Sequence, residues 1–243
     1  MTAARLASFP TDWSSALAVV AHPDDLEYGA ASAIARWTSE GKVVSYLLVT
    51  RGEAGIEATA PDETAAVRAE EERRSAAVVG VEVVEFLDGH RDGVIEYGLP
   101  LRRDLAMAFR RQRPDVVLAA NYRDTWPGGW LNMADHRHVG VAIPDAARDA
   151  GNRWVFTELL DVGLEPWSGI HHVAFNASPN ATHAVDVTGY LDRGIASLAE
   201  HRAYLARLGD GTSDPDEILR GAAEAAGERF GVEHAVEFEV LQV

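Results

Sequence analysis

The residue types best suited to chemistry stand together in the string His22-Pro23-Asp24-Asp25. An imidazole and two carboxylates are costly to crowd together unless a nearby charge compensates them, and a divalent cation compensates all three groups. A second pair, Asp135-His136, opens a predicted helix further along the chain. The plainer interpretation of either group is a helix N-cap, in which an aspartate accepts backbone N–H groups. The metal-site interpretation is favoured because the first string directly follows a predicted buried strand.

The elements that must position these groups alternate regularly. Apolar runs predict strands over 17–21, 42–50, 81–87 and 115–119, and the segments between them predict helices over 30–40, 62–79 and 100–113. This alternation predicts an α/β fold with a Rossmann-like, doubly wound and mostly parallel sheet. His22 to Asp25 then lie at the carboxyl end of a strand, where such sheets bind ligands.

The second half of the chain predicts a further helix and then a smaller β and helical addition. Asp135 is predicted to be the N-cap of a helix that ends near Ala150. Beyond it we expect strands near 154–160, 173–176, 184–187 and 235–241, and helices over 190–208 and 216–229. We expect one domain over 1–243, with a core at about 13–150 and a C-terminal extension at 151–243.

Composition excludes several classes of function. The net charge of −16 disfavours nucleic acid and anionic membranes as partners. There is no cysteine, so any metal must be held by His, Asp or Glu. No run approaches the roughly 18 apolar residues that a membrane span needs, and residues 1–10 do not resemble a signal peptide. We therefore expect a cytoplasmic protein, and a homo-oligomer is left open.

Several polar and aromatic residues near the same edge of the sheet are candidate substrate contacts. Arg51 opens a glycine-containing loop, and Asp92 lies in another. Arg68 either points to the site or forms an ion pair with Glu71, three residues later, on the surface of the helix. Tyr122 and Trp126 lie on a loop that is either a satellite core or a substrate wall.

The quoted residues resemble the PIG-L/LmbE-like family of metal-dependent N-acetylglucosaminyl deacetylases. The resemblance covers about the first two thirds of the chain. It rests on Ala-His-Pro-Asp-Asp-Leu-Glu at 21–27, Arg-Gly-Glu-Ala-Gly at 51–55, Arg68 with Glu71, Asp92-Gly93, and Asp-His-Arg-His-Val-Gly at 135–140. The first motif is specific, and the others follow in the family's order.

The resemblance implies that His22, Asp25 and His136 hold Zn²⁺ or another divalent metal. It also implies that Asp24 is the general base towards water, and that Arg68 and Asp92 contact substrate. A set of two histidines and one aspartate leaves coordination positions open, as a catalytic zinc requires. The expected function is removal of an N-acetyl or other N-acyl group from a small amino sugar or sugar conjugate. The alternatives are a non-catalytic sugar- or metal-binding protein on this fold, and an amidase acting on thiol conjugates.

One departure from the family pattern bears on catalysis. Family members often carry His-Pro-Asp-His in the second motif, where this chain has Met133-Ala134-Asp135-His136. The first histidine of the family motif is placed to stabilise the tetrahedral intermediate or to protonate the leaving amine. A thioether cannot donate a proton. Either Asp24 carries the proton to the amine after serving as base, or another residue reaches in, and the candidates are His90, Tyr122, His138 and His201. A catalytically weak member of the family is a further alternative.

Overall fold

Apolar, partly β-branched segments form the central strands, and most of their residues are buried on both faces. The computed structural model describes residues 6–207 and 214–243. Its strands are β1 (Ala7–Ser8), β2 (Ser15–Val20), β3 (Val43–Leu48), β4 (Val84–Phe86), β5 (Val116–Ala120), β6 (His172–Asn176), β7 (His183–Asp186) and β8 (Ala235–Gln242). Its helices are α1 (Ala31–Ser39), α2 (Pro61–Val78), α3 (Leu99–Gln112), α4 (Ala134–Gly151), α5 (Glu158–Asp161), α6 (Leu191–Leu198), α7 (Arg202–Leu205) and α8 (Pro215–Phe230).

The strands form one sheet in the order β1-β7-β8-β6-β5-β2-β3-β4. All neighbouring strands are parallel except β8, which runs antiparallel to both β6 and β7. The predicted doubly wound, mostly parallel α/β fold is therefore confirmed. The strands β6, β7 and β8 come from the predicted C-terminal extension and continue the same sheet.

Helices cover both faces of the sheet, and each face has its own apolar core. On one face α1 packs through Ile34 and Trp37 against buried residues of β2 and β3. On the other face α3 and α4 pack through Phe109 and Ile143 against β2, β5 and β6. Because β2 is buried between these layers, the loop after it has a fixed position.

Three local predictions were wrong. The segment 154–160 forms no strand, because the guanidinium of Arg110 binds the carbonyl oxygens of Asn152 and Val155 and the chain then turns into α5. The predicted helix over 190–208 is interrupted between α6 and α7, where His201 turns its side chain inwards; Leu208 lies outside the described residues. Asp135 is not an N-cap. Met133 occupies that position without a side-chain hydrogen bond, and the Asp135 carboxylate accepts the N–H groups of other residues instead.

Within residues 6–207 and 214–243, none of the helices combines the length and the apolar character needed to cross a bilayer.

Candidate active site

The site lies where the chain order of the strands reverses, between β2 and β5. From β2 the chain continues to β3 and β4 on one side, whereas β5 lies on the other side. The loops after β2 and β5 therefore diverge, and their divergence leaves a crevice at the carboxyl ends of the two strands. His22 directly follows the end of β2, and His136 lies in the first turn of α4, which follows β5.

His22, Asp25 and His136 meet in this crevice. His22 Nδ1 lies 3.3 Å from His136 Nε2, and His136 Nε2 lies 3.0 Å from Asp25 Oδ1. His22 Nδ1 is also 3.7 Å from Asp25 Oδ2. The three side chains are almost completely buried. One small ion could contact all three groups at these separations.

The outer atoms of the two imidazoles are held by other side chains. His22 Nε2 lies 3.1 Å from Asp135 Oδ2 and 3.0 Å from Asp92 Oδ1. His136 Nδ1 lies 2.9 Å from Asn132 Oδ1. These acceptors favour the N–H on the outer nitrogen of each ring, so that the inner nitrogen is the atom that can offer a lone pair to an ion.

The donor set therefore fits a divalent cation. Two imidazole lone pairs and the Asp25 carboxylate face one another, and an acceptor-only cluster of this kind needs a cation or a proton between its members. Asp25 is itself oriented by the backbone N–H groups of Ala21 and His22, which donate to its Oδ2 at 3.1 and 2.9 Å.

Burial and hydrogen bonding act in opposite directions on these groups. Burial lowers the pKa of His22, but the hydrogen bonds to Asp135, Asp25 and Asp92 outweigh it and hold that pKa well above its ordinary value. Burial raises the pKa of Asp25, but His136 and His22 outweigh it and hold that pKa far below its usual range. Asp25 is therefore ionised, as a ligand must be.

Asp24 has a strained backbone and a free carboxylate oxygen. Its φ is 86°, in the left-handed region that non-glycine residues rarely adopt. Its N–H donates to Glu72 Oε2 at 3.2 Å, and its Oδ1 lies 3.3 Å from Arg68 Nη2. Its Oδ2 is buried without a hydrogen-bond partner in the described part of the chain. Burial, partly offset by Arg68, raises the pKa of Asp24 to about 7.

Arg68 is a buried residue that holds the turn carrying Asp24. Only 3% of the residue is exposed, and its guanidinium donates to the carbonyl oxygens of Pro23 at 2.6 Å and Gly52 at 3.2 Å. Its guanidinium also lies 4.4 Å from the ring centre of Tyr204. The interpretation of Arg68 as a surface partner of Glu71 is wrong, because Glu71 instead accepts the N–H of Ala203.

The other candidate substrate contacts separate into two groups. Asp92 and Trp126 are beside the cluster of His22, Asp25 and His136: Asp92 contacts His22, and the Trp126 ring lies 5.7 Å from the His136 ring. Arg51 is paired with Asp88, and the Tyr122 ring packs on Phe175 at 4.3 Å between centres. Burial raises the pKa of Asp92, but the hydrogen bond and the charge of His22 lower it, and the net effect is a lowered pKa.

Met133 is about half exposed, and two of the candidates to replace the family histidine are hydrogen-bonded to other groups. His90 binds Asp104 at 3.0 Å, and the Nδ1 of His138 donates to the carbonyl oxygen of Ile95 at 2.5 Å. His201 is buried beside Glu72.

The sequence analysis missed two residues that hydrogen-bond to candidate site residues and position them. Asn132 precedes His136 by four residues, and its amide group also donates to the carbonyl oxygens of Asn121 and Arg123. Asn132 lies just before the N-cap of α4, so helix periodicity gave no signal for its contact with His136. Glu72 had no local signal, because it reaches Asp24 only through the packing of α2.

Residues 17–147 match the family model described as PIG-L, GlcNAc-PI de-N-acetylase. This match covers more than half of the chain, so the chain belongs to the PIG-L family, and the resemblance inferred from the motifs is confirmed. The protein is a deacetylase of this family, which favours the catalytic interpretation over the non-catalytic one.

Individual relatives agree with this assignment. The diacetylchitobiose deacetylase of Thermococcus kodakarensis is 30% identical over 197 residues, which cover 79% of this chain and 70% of that protein. The 1D-myo-inositol 2-acetamido-2-deoxy-alpha-D-glucopyranoside deacetylase of Rhodococcus erythropolis is 30% identical over 76% of this chain and 65% of its own length. The structure of N,N'-diacetylchitobiose deacetylase from Pyrococcus horikoshii superposes with a TM-score of 0.83 at 27% identity, covering 95% of this chain and 84% of that one.

Proposed function

We propose that this protein is a metal-dependent hydrolase that removes an acetyl group from the nitrogen of a small amino sugar or sugar conjugate. The observation that carries the proposal is the cluster of His22, Asp25 and His136. The Oδ2 of Asp24, which has no hydrogen-bond partner among the described residues, is one residue away in the chain. The names of the relatives support the substrate class, since they describe deacetylation of glucosamine derivatives.

The residues proposed to hold the metal are His22, Asp25 and His136, and the proposed ion is Zn²⁺. Imidazole and carboxylate ligands suit zinc, although other divalent ions accept the same set. When bound, such an ion supplies Lewis acidity, which polarises a carbonyl group and makes water a stronger acid. The outer contacts of both histidines support this role, because they orient the rings and increase the basicity of the ligands.

The proposed role of Asp24 is to carry a proton between water and the leaving nitrogen. Its Oδ2 accepts a proton as the water oxygen bonds to the amide carbon. It then returns the proton to the nitrogen as the carbon–nitrogen bond breaks, and acetate and a free amine are released. Arg68 orients Asp24 through Oδ1 and leaves Oδ2 available. This two-way use of one carboxylate needs no histidine at position 133.

The loop from 121 to 133 is the proposed wall for the sugar. Trp126 lies beside His136, and Trp130 on the same loop is 79% exposed. Aromatic faces pack well on the apolar faces of sugar rings. The acidic character of the chain suits neutral or cationic sugars better than phosphorylated ones. The cytoplasmic location expected from the sequence remains part of this proposal.

The test is product analysis on a panel of N-acetylated compounds, including N-acetylglucosamine, N,N'-diacetylchitobiose and an N-acetylated thiol conjugate. We expect equal amounts of acetate and free amine from an amino-sugar compound. The control is Asp24→Asn, which removes the proton acceptor and should lower turnover by about 10² to 10⁴ with the metal retained. Binding of a sugar without acetate release would overturn the proposal, and so would turnover of the thiol conjugate alone.

A further inference from the structure

A second cluster of metal-ligating side chains adjoins Asp24, whose backbone N–H donates to one of its members. It consists of Glu27, Glu72 and His201, whose exposed fractions are 1%, 0% and 0%. Glu27 follows β2, Glu72 belongs to α2, and His201 lies between α6 and α7. One ligand atom from each residue lies within 4.8 Å of the other two. The proposed deacetylase mechanism makes no use of this cluster.

The facing atoms of the cluster are close together without being hydrogen-bonded. His201 Nε2 lies 3.6 Å from Glu72 Oε2 and 3.8 Å from Glu27 Oε2. Neither ring nitrogen of His201 has a hydrogen-bond partner among residues 6–207 and 214–243, and the same holds for Glu27 Oε2. Buried polar atoms are nearly always paired, so several unpaired atoms in one place need a physical explanation.

The separations agree with ligands that share one ion. Two ligand atoms that each lie about 2.1 Å from a zinc-sized ion are about 3.4 to 3.6 Å apart at tetrahedral to trigonal angles. Direct hydrogen bonds would bring the same atoms to about 2.7 to 3.0 Å. The observed separations from His201 Nε2, 3.6 Å to Glu72 Oε2 and 3.8 Å to Glu27 Oε2, lie at and just beyond the upper end of the range for a shared ion.

Two carboxylates and an imidazole are buried together here, and either a proton or a cation can balance their charge. Burial, and then the charge of Glu27, raise the pKa of Glu72 well above its ordinary value. The Tyr46 hydroxyl is buried without a partner in the described residues, and burial together with both carboxylates raises its pKa. The guanidinium of Arg68 is directed to Asp24, Pro23 and Gly52 instead.

We propose that Glu27, Glu72 and His201 bind a second divalent cation, with zinc as the ion that best suits one imidazole and two carboxylates. The site is closed to solvent, so its role is structural. It would join the turn after β2 to α2 and to the connection between α6 and α7. Since Glu72 Oε2 also accepts the N–H of Asp24, the ion would hold Glu72 in place behind the strained turn.

The first experiment uses the wild-type protein and needs no variant. Full-length protein equilibrated with zinc and then freed of loosely bound metal is analysed for zinc per chain, and crystals are examined for anomalous scattering at the zinc edge. We expect two ions per chain, with one peak between Glu27, Glu72 and His201. Well-ordered crystals without a peak there would overturn the proposal and show that the cluster only shares protons.

Matched variants assign each ion to its cluster. His136→Ala leaves the second cluster intact and should retain one ion per chain, whereas Glu72→Gln keeps the shape of the side chain and should lose the second ion alone. A His136→Ala protein that folds by circular dichroism but holds no zinc would overturn the second site. A wild-type protein whose single ion lies between Glu27, Glu72 and His201 would instead count against the proposed deacetylase centre.

Discussion

Arg68→Lys tests how the buried guanidinium serves catalysis. The substitution keeps a positive charge beside Asp24 but replaces a planar group that reaches three partners. Arg68 donates to Pro23 at 2.6 Å and to Gly52 at 3.2 Å, and it lies 3.3 Å from Asp24. A lysine ammonium is a compact group on a flexible chain and cannot keep this arrangement of bonds.

The expected loss follows from these contacts. A hydrogen bond that involves a charged group contributes about 1.5 to 3 kcal/mol, and 1.4 kcal/mol corresponds to a factor of ten. Loss of the charged hydrogen bond to the Pro23 carbonyl oxygen, which holds the turn carrying Asp24, should therefore lower kcat/KM by about 10- to 150-fold. Because Arg68 is 3% exposed, we expect the loss in kcat rather than in KM. Arg68→Ala leaves a buried carboxylate without its partner and should also destabilise the fold by about 3 to 5 kcal/mol.

The assay measures kcat and KM on the best substrate of the panel, together with zinc content and the free energy of unfolding. Arg110→Lys is the matched control. Arg110 is also buried, at 2% exposure, but it donates to carbonyl oxygens near the end of α4, including that of Ala150. The control should lose stability while the folded protein keeps its kcat.

Two results would refute the reasoning on Arg68. Unchanged kcat/KM in Arg68→Lys would mean that the orientation of Asp24 does not depend on the guanidinium. A rise in KM alone would return Arg68 to the role of a substrate contact, as the family resemblance implies.

Three further predictions follow from the same geometry. Substitution of His22, Asp25 or His136 by alanine should remove one ion per chain, as measured by elemental analysis. A variant with its full complement of metal would show that the substituted residue is not a ligand. Asn132→Ala should weaken metal affinity by about 10- to 100-fold in a chelator competition, since it orients a ligand, and unchanged affinity would contradict this role. Gly52→Ala places a Cβ 2.2 Å from Arg68 Nη1 and should lower both activity and melting temperature. Gly89→Ala is its control, because φ is also positive there but no atom of the described residues lies within 4 Å of the added Cβ. Equal effects of the two substitutions would show that contact with Arg68 is not the cause.

Much of the fold was predictable because it depends on local pattern. The apolar runs that became β2, β3 and β5 are short, uninterrupted and followed by helical segments, and this alternation permits few topologies. The position of His22 to Asp25 at the end of β2 followed from the same pattern. The approach of His136 to them was expected because the carboxyl ends of parallel strands share one edge.

The sequence by itself thus determined the fold class, the family and the residues with the chemistry to bind a metal. Only the tertiary structure decided which partners surround them. Asp135 has the type and position of an N-cap, yet its carboxylate binds His22 and backbone groups from the loop after β4. Arg68 fits a surface pair by its spacing, yet it is buried against the turn of Asp24.

The physical reason is the separation along the chain. Helix and strand patterns reflect neighbours within a few positions, whereas His22 meets Asp135 across 113 residues. His201 shows the same limit. The local pattern predicts a continuous helix there, but the helix is interrupted where the ring of His201 lies close to Glu27 and Glu72. Such contacts depend on how the helices pack against the sheet, and the periodicity of a single segment does not predict them.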